Sequence, residues 1–199
     1  MRKTVYIFDI DSTLANNDHR AELLQKTCIQ CLHPAPQNHH DPCPNCGCTD
    51  HAISQSSWDE FLRPDLIAAD APIARGVAVV EKLRELGAEI HFLTGRNRKN
   101  CEAVTKDWLR KNVGWDESKE RLCMRENEDR NLPASVYKER AFKRLKEEAS
   151  LDDCLFFFFE DDPHVFGMYE KHGIVIRCPE GWDHFLPESA RGPEAAWRR

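Results

Sequence analysis

Short apolar runs alternate along the chain with stretches in which apolar residues return at helical spacing. Val5 to Phe8 is an apolar, β-rich run that stops at Asp9, and Ala88 to Leu93 is a second that stops at Thr94. Between them Val79, Val80, Leu83 and Leu86 recur with helical periodicity, and Gly87 follows as a helix terminator. Thr105 to Arg110 falls in a further helix, Arg121 to Met124 reads as a short strand, and Ser135 to Glu148 is again helical. Leu155 to Phe159 is the most continuous apolar run in the chain. It is apolar on both faces, as suits a central strand of a parallel sheet covered by helices. Its phenylalanines therefore belong to the core and not to a base-stacking platform. Val165 to Lys171 returns as helix and Ile174 to Arg177 as a last strand.

This alternation predicts an α/β fold, a doubly wound, Rossmann-like parallel sheet whose active site lies outside the carboxyl ends of the strands. Asp9, Thr94 and the acidic group Glu160, Asp161 and Asp162 would then meet at one edge although they are distant in sequence. The expected division is a core of residues 1–15 and 70–186, an insert of 16–69, and a loosely ordered tail of 187–199.

Composition narrows the class. With 199 residues, 41% of them hydrophobic, the chain can build one sizeable core and a small appendage. The opening MRKTVYIF is too short an apolar stretch for a secretion signal or a membrane span, so a cytoplasmic protein with no membrane partner is expected. A net charge of −6 weighs against holding nucleic acid mainly through its phosphates. Local basic runs exist at Arg96, Arg98 and Lys99, and at Lys138, Arg140, Lys143, Arg144 and Lys146. The second run reads as a solvated helix face. Trp58, Trp108, Trp115 and Trp182 are expected in core or edge packing.

Nine cysteines in a chain expected to lack a leader point to metal in a reducing compartment, because five of them cluster between Cys28 and Cys48. Cys28-Ile-Gln-Cys31 and Cys43-Pro-Asn-Cys46 are paired knuckles, each able to present two thiolates to one tetrahedral zinc ion. The expected ligands are Cys28, Cys31, Cys43 and Cys46, with Cys48 or His51 as a substitute. The loop between the knuckles has almost no apolar residues, so the ion would have to fold it. His33, His39 and His40 read as exposed loop residues, and Cys101, Cys123, Cys154 and Cys178 as small buried hydrophobes.

The chemistry is carried by four signals. Asp9-Ile-Asp11-Ser-Thr13 places two carboxylates on one tight loop, where one can attack and the other can handle a proton. Thr94-Gly95-Arg96 offers a hydroxyl and backbone amides to a phosphoryl oxygen. Lys138, early in a helix, can neutralise nucleophile and phosphate together. Glu160 and Asp161, with Asp162 one residue on, supply hard oxygen donors for a dication.

In these motifs, FDIDST, FLTGR, Lys138 and FFFEDD, the chain resembles phosphatases of the haloacid dehalogenase superfamily. Within it the chain is similar to the phosphatase domain of phage polynucleotide kinase and its stand-alone phage relatives, through FDIDSTLANNDHR, SWDEFL, HFLTGRN, TKDWL, CMREN, VYKERAF and EDDPHVFGMYEKHGI. The resemblance implies Asp9 as nucleophile forming an aspartyl-phosphate, Asp11 as general acid and then base, and Thr94 and Lys138 on the transferring group. It further implies substrate contacts from Thr13, Gly95, Arg96 and Arg125, and magnesium on Asp9, the Asp11 carbonyl and Asp161. The insert falls where superfamily members carry a cap. Ser12 stands where glycine is usual, the fourth motif lacks an arginine common in the kinase-linked group, and no GxxxxGK[ST] segment is present.

Three functions are thus expected in order: a phosphatase for nucleic-acid 3'-phosphate ends, one for small nucleotides such as nucleoside monophosphates, and a non-catalytic zinc module on the same scaffold. Intact Asp9, Asp11, Thr94, Lys138 and Asp161 argue against the last. The residues do not speak to oligomeric state.

Overall fold

The computed structural model describes residues 2–35 and 41–178; the expected tail, His39, His40 and Trp182 lie outside the described residues. The first strand, β1 (Thr4–Phe8), is followed by a two-residue strand β2 (Ala15–Asn16) and a short helix α1 (Asp18–Ala21). A hairpin of β3 (Lys26–Cys28) and β4 (His51–Ile53) precedes helices α2 (Gln55–Phe61) and α3 (Pro64–Ala68) and strand β5 (Ala71–Pro72). Then come α4 (Ala74–Glu85), β6 (Glu89–Asn97), α5 (Arg98–Val113), β7 (Leu122–Arg125) and a 3-10 turn at Asn127–Asp129. Helix α6 (Ala134–Glu148), β8 (Leu155–Glu160), α7 (Pro163–Tyr169) and β9 (Ile174–Arg177) complete the order.

Five strands form a parallel sheet in the order β7-β6-β1-β8-β9. Strand order reverses at β1, so the switch point opens between the carboxyl ends of β1 and β8, where ligands of doubly wound sheets bind. The register aligns Phe8 with Phe159, and their rings stack at 4.2 Å. Alternation along each strand then feeds two cores. Phe8, Phe92 and Phe159 pack under Val79, Val80 and Leu83 of α4 and Trp108, Leu109 and Val113 of α5. Val5, Ile7, Phe156 and Phe158 face Tyr137, Ala141, Phe142 and Leu145 of α6 and Val165, Met168 and Tyr169 of α7. The run Leu155 to Phe159 thus alternates between two covered faces, as a central strand must.

Helix boundaries differ from the periodicity where caps decide them. α5 contains the expected Thr105 to Arg110 and runs beyond it on both sides, to Gly114, which caps it in the left-handed conformation at φ +69°. Leu86 lies 73% exposed as the cap residue of α4, because the chain turns away at Gly87 (φ +72°) before another helical turn can bury it. α7 ends at Tyr169, before the expected Lys171.

The segment after β1 leaves and re-enters the core at one place, since β2 pairs antiparallel with β5 through Ala15–Pro72 and Asn16–Ala71. Its α3 packs on the core beside α5, where Ile67, Cys101 and Met124 share a small cluster. Among the described residues, no helix is long and apolar enough to cross a membrane.

Gly173 marks the tightest backbone approach. A Cβ there would stand 2.3 Å from the Phe156 carbonyl oxygen and 2.9 Å from its Cβ, neither of which can swing aside. Gly173→Ala is expected to destabilise the fold by about 1–3 kcal/mol, as overpacking does. In thermal unfolding this would lower Tm by roughly 3–10 °C. An unchanged Tm would show that the turn before β9 is looser than described.

Candidate active site

Asp9 continues the ladder of β1, donating its amide to the Phe159 carbonyl at 2.9 Å. That bond brings the carboxylate, only 6% exposed, to the sheet edge beside Glu160. The loop beyond is anchored by buried Ile10 and Leu14, with the Ile10 carbonyl accepting the amides of Leu14 and Ala15 at 2.8 Å each. Ser12 occupies the left-handed region at φ +59°, which explains the usual preference for glycine there. Its Oγ donates to Asn17 Oδ1 at 2.9 Å, a local bond that offsets part of the strain.

Lys138, in the second turn of α6, reaches the same edge. Its Nζ donates to Asp9 Oδ1 at 2.9 Å and to Glu160 Oε2 at 2.6 Å, with all three side chains buried. Oxygens of Asp9, Glu160 and Asp161 lie within 4.8 Å of one another. Three carboxylates share one ammonium, so negative charge is in excess. Burial pushes Asp9 up to about 8 although Lys138 pulls it down, with Glu160 and Asp11 adding to the rise. Burial and the Asp9 charge push Asp161 up to about 7. Lys138 is held well above its ordinary value by Asp9 and Glu160 in spite of burial. A surplus of anionic oxygen donors in this spacing fits a hard dication such as magnesium. Asp162 is not in this group, because its side chain caps α7 by accepting the His164 amide at 2.9 Å.

The carboxylate of Asp11 turns the other way, into two guanidiniums. Arg96 Nε donates to its two oxygens at 3.2 and 3.1 Å and Nη2 to Oδ1 at 2.8 Å, while Arg20 Nη2 also donates to Oδ1. Burial would raise Asp11, but the arginines outweigh it and hold the carboxyl at about 2. Asp70 faces the same pair, accepting Arg20 Nε and Nη2 at 2.8 Å each and Arg96 Nη2 at 2.7 Å.

Two residues expected on the substrate have protein partners. Arg96 was expected on the substrate, yet it is fully buried, bonded to Asp11, Asp70 and Thr105. Arg125 was expected there too. Its Nη1 instead donates to the carbonyls of Asp129, Arg130 and Leu132 at 3.3, 3.4 and 2.8 Å, and its guanidinium covers the Tyr137 ring at 4.5 Å. It staples the turn between β7 and α6. Thr94 is buried, its Oγ1 accepting the Arg96 amide at 3.3 Å and its carbonyl accepting Tyr137 Oη at 2.8 Å. Gly95 has open space where a Cβ would stand. Thr13 is buried with no partner for Oγ1 among the described residues. Sequence reading missed Arg20 and Asp70. Arg20 lies in the quoted segment FDIDSTLANNDHR, but nothing in spacing shows that an arginine will be buried.

The insert carries a second donor set. Sγ atoms of Cys28, Cys31, Cys43 and Cys46 lie within 4.8 Å of one another, with Cys28 to Cys46 at 3.5 Å and Cys31 to Cys43 at 3.6 Å. The two knuckles are built alike. Leu32 donates its amide to the Cys28 carbonyl as Gly47 does to Cys43, and Cys28 donates to His33 as Cys43 does to Cys48. Leu32 and Gly47 take the same left-handed turn, at φ +60° and +75°. Hydrogen bonds from Asn45 and the His33 backbone hold the Cys31 thiol down at about 6. Four convergent thiols on paired turns fit a structural zinc ion. Cys48 and His51 are outside the group; the Cys48 sulfur accepts the Asp50 amide at 3.4 Å. Of the remaining cysteines, Cys101 and Cys178 are buried as expected, whereas Cys123 and Cys154 are half-buried.

Several solved structures share this fold. A chain of the Pnkp1/Rnl/Hen1 complex superposes with a TM-score of 0.53 at 18% identity, covering 89% of this chain and 45% of that one. The present chain thus spans less than half the length of that relative. A second structure of the assembly, described as an RNA repair complex, gives a TM-score of 0.50 at 16% identity over 89% of this chain and 42% of the other. A haloacid dehalogenase-like hydrolase from Streptococcus pneumoniae gives 0.57 at 12% identity, over 94% of this chain and 92% of the other. No curated protein matches the chain in sequence. A family profile described as HAD superfamily, subfamily IIIB (acid phosphatase) matches residues 44–151, a span that includes Thr94 and Lys138. That span exceeds half of the 199 residues, and the chain accordingly belongs to this acid phosphatase family of the HAD superfamily.

Proposed function

We propose that the chain removes the terminal phosphate from nucleic-acid 3' ends, with Asp9 as nucleophile and Asp11 as general acid and then base. The observation that carries the catalytic reading is the Asp9 carboxylate, buried against Lys138 and within ion-sharing distance of Glu160 and Asp161. The substrate reading is supported by the likeness to a chain of an RNA repair complex. The proposed boundaries are a core of 1–15 and 70–186 and an insert of 16–69, which would leave the cleft open to a polymer end.

Each residue has a task that follows from its place. An Asp9 oxygen attacks phosphorus in line, and the bond from phosphorus to the leaving oxygen breaks as Asp11 gives that oxygen a proton. Asp11 then takes a proton from water, whose oxygen attacks the same phosphorus and releases Asp9 as carboxylate. Splitting the hydrolysis in two explains why both aspartates are needed. Lys138, the Thr94 hydroxyl and the Gly95 amide hold the phosphoryl oxygens, and such positioning is most of what phosphoryl transfer asks of a protein. Magnesium on Asp9, the Asp11 carbonyl and Asp161, with Glu160 beside it, would offset the repulsion between carboxylate and phosphate. Asp11 is described as an anion between Arg20 and Arg96; a phosphate dianion arriving beside it favours the protonated form that the first step uses. In the insert, zinc on Cys28, Cys31, Cys43 and Cys46 would hold the two knuckles together.

Asp9→Asn is expected to lower turnover of 4-nitrophenyl phosphate at least roughly a thousandfold. Retained activity would refute the nucleophile. On the wild type, a 3'-phosphorylated oligonucleotide should exceed a panel of nucleoside monophosphates in kcat/KM; the reverse order would assign the cleft to small nucleotides. Magnesium should raise Tm, and by more at pH 8 than at pH 5. Carboxylates lifted to about 8 and about 7 hold protons at pH 5 that compete with the ion. Asp161→Asn should remove most of that gain, and a gain unchanged in the variant would place the ion elsewhere. Purified protein should contain one zinc per chain and Cys43→Ser little or none, by metal analysis; equal content in both would overturn the ligand set.

A further inference from the structure

Asp70 is the first core residue after the insert, immediately before β5, and is 4% exposed. Its Oδ2 accepts Nη2 of both Arg20 and Arg96, at 2.8 and 2.7 Å, and its Oδ1 accepts Arg20 Nε at 2.8 Å. The same two Nη2 atoms donate to Asp11 Oδ1. Each guanidinium therefore bridges one carboxylate to the other, and the four groups together carry no net charge. The partners come from different parts of the fold: Arg20 from α1 at the near end of the insert, Arg96 from β6 of the core. Asp70 is fixed from behind, where its carbonyl accepts Trp108 Nε1 at 2.7 Å and its amide donates to Ile67 at 3.2 Å. Arg20 is fixed in turn by the Phe61 carbonyl at 3.2 Å and by the Phe61 ring, 4.1 Å from its guanidinium.

We infer that Asp70 is a positioning residue for catalysis: it clamps the insert's Arg20 to the core's Arg96 so that the two guanidiniums form one cradle that aims the Asp11 carboxylate. The inference rests on the reading of Asp11 as acid and base. Two arginines facing a single carboxylate would repel each other and splay apart. A second carboxylate on their rear side holds them at one spacing. The arrangement also makes the chemical step depend on the insert being seated, because the insert supplies Arg20, one of the two guanidiniums of the cradle.

Aim matters most where the leaving oxygen most needs a proton. The test is the dependence of kcat/KM on the leaving group across phenyl phosphates, from 4-nitrophenyl to unsubstituted phenyl, for wild type, Asp70→Asn, Asp11→Asn and the double variant. Asp70→Asn is expected to lose roughly tenfold more on phenyl than on 4-nitrophenyl phosphate, within the range that general acid catalysis covers. Asp11→Asn should steepen the dependence at least as much, and adding Asp70→Asn to it should steepen it no further. The ratio of two substrates on one preparation does not depend on how much of a variant is folded. If Asp70→Asn does not fold at all, Asp70→Glu keeps the charge, moves the carboxylate by one methylene, and should give the same change in smaller measure. Equal losses on both substrates, or none, would overturn the positioning role of Asp70. A flat dependence in Asp11→Asn would overturn the role of Asp11 itself, a failure separable from the first.

Discussion

Three carboxylates and one ammonium crowd the ends of two adjacent strands, most of them buried, and this surplus of negative charge conditions everything around it. Moving a carboxylate out of water costs several kcal/mol unless it is paired. Asp9 and Glu160 have Lys138, and among the described residues Asp161 has no comparable cation. The pocket is thus built to receive positive charge. The sheet enforces the crowding. β1 and β8 run parallel in register, so the residues that follow Phe8 and Phe159 must emerge side by side whatever their charge. Aromatic layers below, with Phe8 stacked on Phe159 and Phe158 on Tyr169 at 4.2 Å each, leave no slack for the carboxylates to spread.

Asp11 answers to different neighbours, although only one residue separates it from Asp9. One carboxyl is pushed up by burial among other anions and the other is held down by two arginines. Asp9 meets Lys138 while Asp11 meets Arg20 and Arg96. Neighbouring carboxylates whose environments pull their proton affinities apart are suited to separate roles.

The layered fold was legible because it rests on the alternation of apolar runs, and an all-apolar run such as Leu155 to Phe159 has few places to go other than a sheet covered on both faces. The meeting of Asp9 with Glu160 and Asp161 followed from that topology. The protein partners of Arg96 and Arg125 were not legible, for a shared reason. A sequence shows an arginine after a strand but not whether an acid or a carbonyl will claim it first, and here Asp70 and three turn carbonyls do. Asp70 itself escaped notice because its partners are 50 and 26 residues away. The knuckles were legible from spacing alone. That Leu32 would share the left-handed turn of Gly47 was not, since leucine is a poor occupant of that conformation.

The pairing of Asn16 with Ala71 has a further consequence. A segment whose two ends are hydrogen-bonded neighbours closes on itself, so its length can change with little effect on the sheet it leaves, because the entropy of closing a loop grows only slowly with its size. Lineages could therefore trade the knuckle-bearing portion for another module without disturbing the acidic cluster at the strand ends. Arg20 and Asp70 sit just inside the junction, so any such exchange that kept the cradle would have to be cut on their far side.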